Sequence, residues 1–128
     1  MIINTPVSLG ELVDKISILY IKRKNITEVE KVKLINQELS LLEKTLKDSL
    51  INNNLINKYL NELIIINSKL WKIEDDLRDY ERKKSFDQDF IELARSVYLT
   101  NDKRSKIKLE INKKFGSQIR EVKSYTKY

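Results

Sequence analysis

The sequence contains no cysteine and no histidine. Without cysteine the chain has no disulfide, no thiolate metal site and no thiol nucleophile. Without histidine it lacks the side chain that most often acts as a general base near neutral pH and as a transition-metal ligand. Any catalysis would therefore depend on carboxylates, lysine, arginine, tyrosine or hydroxyl groups. The composition favours a protein without enzymatic activity but does not exclude an enzyme.

Glycine and proline are also scarce, with two glycines and one proline in 128 residues. This scarcity favours long helices over tight turns and edge strands. Gly10 and Gly116 stand alone, so the chain has no glycine-rich loop that would cradle a phosphate.

Long apolar runs are missing as well. The run Leu63–Ile66 is far shorter than the roughly 20 residues that a membrane-spanning helix needs. The segment Met1–Pro6 lacks the basic and apolar regions of a secretory signal. We expect a cytoplasmic protein with no membrane partner.

The net charge of +6 is concentrated in one part of the sequence. Residues 1–102 carry 16 Lys and Arg against 17 Asp and Glu, whereas residues 103–128 carry 9 against 2. In this basic segment no aromatic residue is interleaved with the basic residues until Tyr125 and Tyr128, and no recognised nucleic-acid motif is present. The segment is typical of a solvated helix end, and we do not expect nucleic acid to be a partner.

Apolar spacings of three and four predict an all-α fold with helices at about 9–24, 28–50, 54–83 and 87–115, followed by a tail at 117–128. Capping boxes at Ser8 and Thr27 mark the first two helix starts. Asp87 or Asp89 is expected to cap the fourth helix, and Gly116 to end it. The run Asn52–Asn54 indicates a loop.

The second and third helices carry coiled-coil-like seams. The seam of the second consists of Val32, Ile35, Leu39, Leu42 and Leu46; that of the third consists of Ile56, Tyr59, Leu63, Ile66, Leu70, Ile73, Leu77 and Tyr80. A third helix of about 45 Å exceeds the size of a compact chain of this length. We therefore expect an elongated four-helix bundle that forms a homo-oligomer, with a dimer as the first expectation.

The fourth helix is polar at its middle. Along one stripe, Asn101, Arg104 and Lys108 separate Val97 from Ile111. The helix either breaks at residues 100–102, which would make five helices, or continues with a polar centre. We favour a single helix with a kink.

A polar stripe beside the seam of the third helix predicts a pocket. It consists of Asn67, Trp71, Glu74 and Arg78, with Asp75 adjacent. The fourth helix offers a matching face of Glu92, Arg95, Tyr98, Asn101 and Asp102. If the two faces meet, they form either a ligand pocket or a structural salt-bridge network, and the network is the commoner arrangement.

Clustered carboxylates in residues 74–92 raise the possibility of a Mg²⁺ site, as in helical nucleotide pyrophosphatases. Glu74, Asp75 and Glu92 would be the ligands. The paired acidic motifs of those enzymes are approached only by Glu11–Asp14 and Glu74–Asp76. We predict no cofactor outside this alternative.

Three segments resemble a family of short bacterial and phage proteins that is catalogued as a domain of unknown function. They are SLGELVDKI at 8–16, LWKIEDD at 70–76 and FIELARSVY at 90–98, which is followed by Asn101 and Asp102. The resemblance also includes the end of the chain and covers most of its length. It implies no activity, but it points to the polar faces of the third and fourth helices as the characteristic feature.

The first helix also resembles that of the helical chorismate mutases, over about an eighth of the chain. That resemblance would assign substrate contacts to Lys15, Arg23, Arg78 and Arg95. The downstream mutase motif is not matched, and the polar faces are too acidic for a dianionic substrate.

Two functional hypotheses follow. The first is a non-enzymatic helical oligomerisation or protein-interaction module that is held together by the seams. The alternative is a small-ligand-binding protein or enzyme with a polar pocket between the third and fourth helices, resembling either a Mg²⁺-dependent nucleotide hydrolase or a chorismate mutase.

Overall fold

Four α-helices and no strand are found in the computed structural model, which describes residues 1–49 and 53–128. The helices are α1 (Leu9–Asn25), α2 (Val29–Asp48), α3 (Asn53–Lys83) and α4 (Gln88–Lys114). The predicted all-α helical bundle is confirmed. Within the described part of the chain, no helix has both the length and the apolar character needed to cross a membrane.

The helix ends lie close to the predicted positions. Helix α3 begins at Asn53, one residue before the predicted start at 54, so the predicted asparagine loop does not include Asn53; Asn52 lies outside the described residues. The predicted end of the second helix at residue 50 also lies outside them. Residues 100–102 are helical, and α4 does not break there. Thr100 is 2% exposed, so neighbouring elements cover α4 at this point.

Two of the predicted caps form and one does not. The Ser8 hydroxyl accepts a hydrogen bond from the amide of Glu11, and the Asp87 carboxylate accepts one from the amide of Phe90. The prediction that Thr27 caps α2 is wrong. The N-cap residue is Glu28, which makes no side-chain capping bond; its carboxylate pairs with Lys31.

Helices α3 and α4 end in the same way. After α3, the amide of Ser85 donates to the carbonyl of Tyr80 and that of Lys84 to Glu81. This is a Schellman motif, and it places Lys84 at a φ of 51°. After α4 the same pattern uses Gly116 at a φ of 67°, as the sequence predicts for the helix stop.

Helix α1 lies against each of the other three helices, and α3 also packs along α4. On one side, Leu12, Ile16 and Leu19 pack with Ile35 and Leu39 of α2. On the other side, Val13 packs with buried residues of α3 and α4, which are Ile56, Leu63 and Ile111. The core is therefore divided into two clusters that meet at α1.

The seam of α3 is used inside the chain. Ile56, Leu63 and Ile73 are no more than 5% exposed in a single copy of the protein. Helices α1 and α4 cover this face. The regular spacing along α3 is thus accounted for by intramolecular packing and does not by itself require a second copy.

Candidate functional site

Asp14 is a completely buried carboxylate at the meeting point of α1, α3 and α4. Its Oδ1 accepts hydrogen bonds from Nε of Arg104 at 3.0 Å and from Nδ2 of Asn67 at 2.8 Å. Its Oδ2 accepts one from Nη2 of Arg104 at 2.5 Å. Two of the five guanidinium N–H groups therefore hold the carboxylate in a bidentate arrangement.

Ser17 and Asn67 complete the surroundings of this carboxylate. The Ser17 hydroxyl donates to the carbonyl of Asp14 at 2.6 Å and accepts from Nδ2 of Asn67 at 2.8 Å. Both side chains are buried. Every buried side-chain nitrogen and oxygen atom among the described residues has a hydrogen-bond partner. The group of Asp14, Ser17, Asn67 and Arg104 is called the buried polar network below.

Arg104 keeps its charge in this network. The pKa of its guanidinium is raised above the usual value, first by the hydrogen bonds to Asp14, and burial opposes this effect only in part. The Arg104 side chain is 26% exposed, so its outer edge is accessible while its inner edge holds Asp14. Since α4 supplies Arg104 and α1 supplies Asp14, the pair also fixes these two helices relative to each other.

Lys108 lies one turn farther along α4 and is 12% exposed at its side chain. Its ammonium is 2.7 Å from Glu11, 3.4 Å from Glu121 and 3.8 Å from Asp14. Next to it, the amide of Gly10 donates to Oδ1 of Asn112 at 2.7 Å. A Cβ at Gly10 would lie 2.5 Å from the carbonyl oxygen of Lys108, so only glycine permits this approach of α1 to α4.

A cavity of about 500 Å³ opens beside the buried polar network, between α1, α3 and α4. This volume lies within the range of small-molecule sites. Its apolar wall is formed by Ile18, Ile21, Leu70, Trp71 and Val97, and its polar lining by Asn67, Glu74, Asp75, Arg78, Asn101 and Arg104. We call it the central cavity.

Six of the ten residues predicted for the polar pocket line the central cavity, namely Asn67, Trp71, Glu74, Asp75, Arg78 and Asn101. Glu74 and Arg78 form an ion pair at 3.1 Å. Asp75 has no ion pair or hydrogen bond within the described residues. The sequence pattern thus located the α3 side of the cavity.

The other four predicted residues lie elsewhere on α4. Glu92 and Arg95 pair with each other at 3.1 Å on the exposed surface. Hydrogen bonds to Tyr98 and Glu92 raise the pKa of Arg95. Tyr98 packs edge-on against Tyr128, with ring centroids 5.3 Å apart, and Asp102 accepts a hydrogen bond from the Tyr128 hydroxyl. On α4 the cavity is lined by the stripe of Val97, Asn101 and Arg104. This stripe is rotated about the helix axis by one residue from the predicted stripe of Tyr98 and Asp102.

Asp14, Ser17 and Arg104 belong to the site, although the sequence patterns do not predict them as site residues. A signal for them is the polar middle of α4, which is also the pattern of a helix break. A polar stripe that continues between apolar residues of one helix requires a polar partner on the facing helix. Asp14 and Ser17, which interrupt the apolar face of α1, are that partner.

The metal ligands of the Mg²⁺ alternative are not brought together. Glu92 is engaged by Arg95 and by Gln88, on the surface of α4 away from the central cavity. Within residues 1–49 and 53–128, no three acidic side chains are grouped so that they could hold a metal ion.

Comparison of this chain with family models, with curated proteins and with solved structures finds no match. The resemblance to the family of short bacterial and phage proteins stays a prediction. The candidate site is therefore defined by the geometry of the central cavity and the buried polar network.

Proposed function

We propose that the chain binds a small polar molecule in the central cavity. The observation that carries the proposal is the buried polar network, whose Arg104 and Asn67 border the cavity while they hold Asp14. A buried ion pair is a poor way to stabilise a fold, since well-packed apolar residues of similar size are often as stable or more so. A role in ligand binding explains the position of the Asp14–Arg104 pair beside a cavity better than a role in stability does.

The free polar groups of the lining support the same proposal. Asp75 has no partner within the described residues, and Arg104 offers Nη1, whose one contact is Oδ1 of Asn101 at 3.5 Å. An apolar wall with a few convergent polar groups is the usual composition of a ligand site. The proposal is binding, with no reaction assigned.

A thermal-shift screen tests this proposal. A ligand that binds only the folded state at a hundred times its Kd adds about 2.7 kcal/mol to the free energy of unfolding, which raises the melting temperature by several degrees. The screen uses amino acids, sugars, polyols, nucleotides, diamines and dicarboxylates.

Val97→Phe fills the cavity from α4 and is expected to abolish the shift. Leu99→Phe is the matched control, because Leu99 is two residues away, 39% exposed and outside the cavity lining. A screen in which no compound stabilises the protein, or a shift that persists in Val97→Phe, would count against the proposal.

A second candidate function is self-association through the outer face of α2. Among the described helices, α2 packs mainly against α1, and its Leu46 lies against the cluster of Val13, Ile56, Leu63 and Ile111. Its far side leaves Val29, Leu34 and Leu41 at 79, 65 and 48% exposure, and a groove there includes Ile2 and Val32. Leu34 and Leu41 are seven residues apart, as on one face of a pairing helix.

Light scattering tests this second candidate. A homo-oligomer built on α2 should become monomeric in the double variant Leu34→Glu, Leu41→Glu. The control is Ile65→Glu on α3, which replaces another exposed apolar side chain. A monomeric mass for the unmodified protein at high concentration would remove this function and leave the ligand-binding proposal intact.

A further inference from the structure

The polar side chains that line the central cavity share one shape. Asn67 and Asn101 carry carboxamides, Glu74 and Asp75 carboxylates, and Arg78 and Arg104 guanidinium groups. Each of these groups is planar and presents two polar atoms side by side. Two adjacent hydroxyl groups on a carbon ring match such a pair of atoms, in the way that a carboxylate matches an arginine.

Donors and acceptors are both left free for a ligand. The carboxylate of Asp75 accepts no hydrogen bond from the described residues. Arg78 uses only Nη1, which it donates to Glu74, so Nε and Nη2 remain as donors. A hydroxyl group both donates and accepts, whereas a carboxylate only accepts and an ammonium only donates. A mixed lining therefore suits hydroxyl groups better than either kind of ion.

The charge of the lining points in the same direction. Glu74 already pairs with Arg78, and Arg104 already pairs with Asp14. Asp75 is the one carboxylate of the lining that has no ion pair with the described residues. An anionic ligand would be repelled by this carboxylate, whereas a hydroxyl group can donate a hydrogen bond to it without adding charge to the cavity.

The apolar wall supplies a surface for the body of the ligand. Trp71 is the largest apolar group in the lining, and Ile18, Leu70 and Val97 accompany it. An indole ring is a broad, flat apolar surface with one N–H group at its edge. The carbon face of a sugar ring is apolar while its rim carries hydroxyl groups, so it can lie on such a wall and direct its rim to the planar side chains.

We infer that the central cavity binds a neutral molecule with adjacent hydroxyl groups, such as a pyranose sugar or a cyclic polyol. This inference rests on the proposed function, because it names the ligand class for the same cavity.

Fluorescence of Trp71 provides a direct test, since it is the only tryptophan of the chain. The unmodified protein is titrated with glucose, galactose, mannose, N-acetylglucosamine and myo-inositol. Separate titrations use glycine, putrescine and succinate as zwitterion, cation and dianion. The expected result is a saturable change with at least one of the neutral compounds. Its Kd should be unchanged by added salt, because no net charge is recognised.

Two matched variants and one matched ligand test the recognition by paired polar atoms. Arg78→Lys keeps the charge but removes the planar group, and it is expected to weaken binding about tenfold, as for the loss of one bidentate contact. Arg82→Lys, one turn away and outside the cavity, is expected to leave the Kd unchanged. A deoxy analogue of the bound sugar that lacks one of two adjacent hydroxyl groups should bind less tightly.

The possible outcomes separate this inference from the proposed function. Binding of glycine, putrescine or succinate without binding of any polyol would overturn the inference and leave a ligand-binding protein. A polyol that binds equally well to Arg78→Lys would also overturn it. If no compound of any class changes the fluorescence or the melting temperature, both the inference and the proposed function fail.

Discussion

Asp14 of α1 connects three helices, because its carboxylate is hydrogen-bonded to Asn67 of α3 and Arg104 of α4. Its carboxylate is fully buried and receives two hydrogen bonds from Arg104 and one from Asn67. Removing one partner of a buried ion pair leaves the other charge uncompensated, and this is far more costly than replacing both.

Asp14→Asn keeps the shape of the side chain but leaves Arg104 without its counter-charge. We expect the variant to lose about 2–4 kcal/mol of unfolding free energy, less than for a wholly buried pair because Arg104 retains some access to solvent. Denaturant unfolding measures the loss. Asp79→Asn, whose exposed partner is Arg82, should change the stability by less than about 0.5 kcal/mol. Equal losses in the two variants would mean that the network is not coupled to the fold.

Gly10 shows a local preference that is overridden by a tertiary contact. Alanine is favoured over glycine within a helix by about 1 kcal/mol. At this position, however, the new Cβ would lie 2.5 Å from the carbonyl oxygen of Lys108 and 3.0 Å from Oδ1 of Asn112. Since one of these atoms belongs to the backbone, α1 and α4 would have to separate.

Gly10→Ala is therefore expected to lower the unfolding free energy by about 1–3 kcal/mol, as for an overpacked core. Lys15→Ala, at an exposed position of the same helix, serves as the control and should change stability by about 0.5 kcal/mol or less. Thermal unfolding followed by circular dichroism gives both values. A more stable Gly10→Ala would mean that helix propensity outweighs the contact.

At the scale of the elements, local signals predicted most of the helix ends. Ser8, Asp87 and Gly116 act through atoms within a few residues of themselves, so their effect can be derived from the sequence. Thr27 was not the cap because α2 begins one residue later, with Glu28 at the N-cap, and a shift of one residue lies within the usual uncertainty of a helix end.

The partners of each helix face were harder to predict than the helices. Periodicity located Trp71 and Asp75 beside the seam of α3. It could not say whether the stripe of Val97 and Arg104 or the stripe of Tyr98 and Asp102 on α4 would face them, since the two stripes differ by one residue of rotation. The pairing of Asp14 with Arg104 joins residues 90 positions apart, and no spacing rule connects them.

The C-terminal segment, residues 117–128, is another element whose position depends on distant contacts. It returns along α4, with Glu121 and Tyr125 lining one groove with Ser105 and Leu109 and with Tyr128 reaching Asp102. Hydrogen bonding to Lys123 lowers the pKa of Glu121, burial opposes this effect in part, and the charge of Lys108 lowers the pKa further.

This lowered pKa predicts how attachment of the segment depends on pH. Lys108 of α4 supplies part of this lowering, so the Glu121 carboxyl binds its proton less tightly when the segment is attached. Its contribution to attachment is complete above the ordinary pKa of 4.5 and is lost as the pH falls through the lowered pKa. Heteronuclear NOE values for residues 119–128 should therefore decrease between about pH 5 and pH 3. In Glu121→Gln they should be low and change little over this interval. A decrease of equal size in that variant would show that Glu121 is not the group responsible.

For the molecule as a whole, the basic charge is divided between structural and free cations. Of the nine basic residues in 103–128, Arg104, Lys108 and Lys123 lie against carboxylates of α1 or of the C-terminal segment. The others form no ion pair with the described residues; they are Lys103, Lys106, Lys113, Lys114, Arg120 and Lys127. Free cations of this kind attract any polyanion through release of counterions, without selection of a sequence.

We therefore expect binding to duplex DNA at low salt only, with the same affinity for unrelated sequences and a Kd weaker than about 1 µM at physiological salt. Fluorescence anisotropy measured against salt concentration tests this expectation.

The double variant Lys103→Glu, Lys106→Glu should reduce the salt dependence, because fewer phosphates would be neutralised. It should leave the response of Trp71 to a ligand of the central cavity unchanged, since neither lysine lines that cavity. Tight, sequence-dependent binding would contradict the assignment, because selection among sequences requires contacts to base edges in addition to phosphate contacts. Salt concentration thus distinguishes the basic surface from the central cavity. Added salt should abolish association of the basic surface with a polyanion and leave the affinity of the cavity for a neutral ligand unchanged.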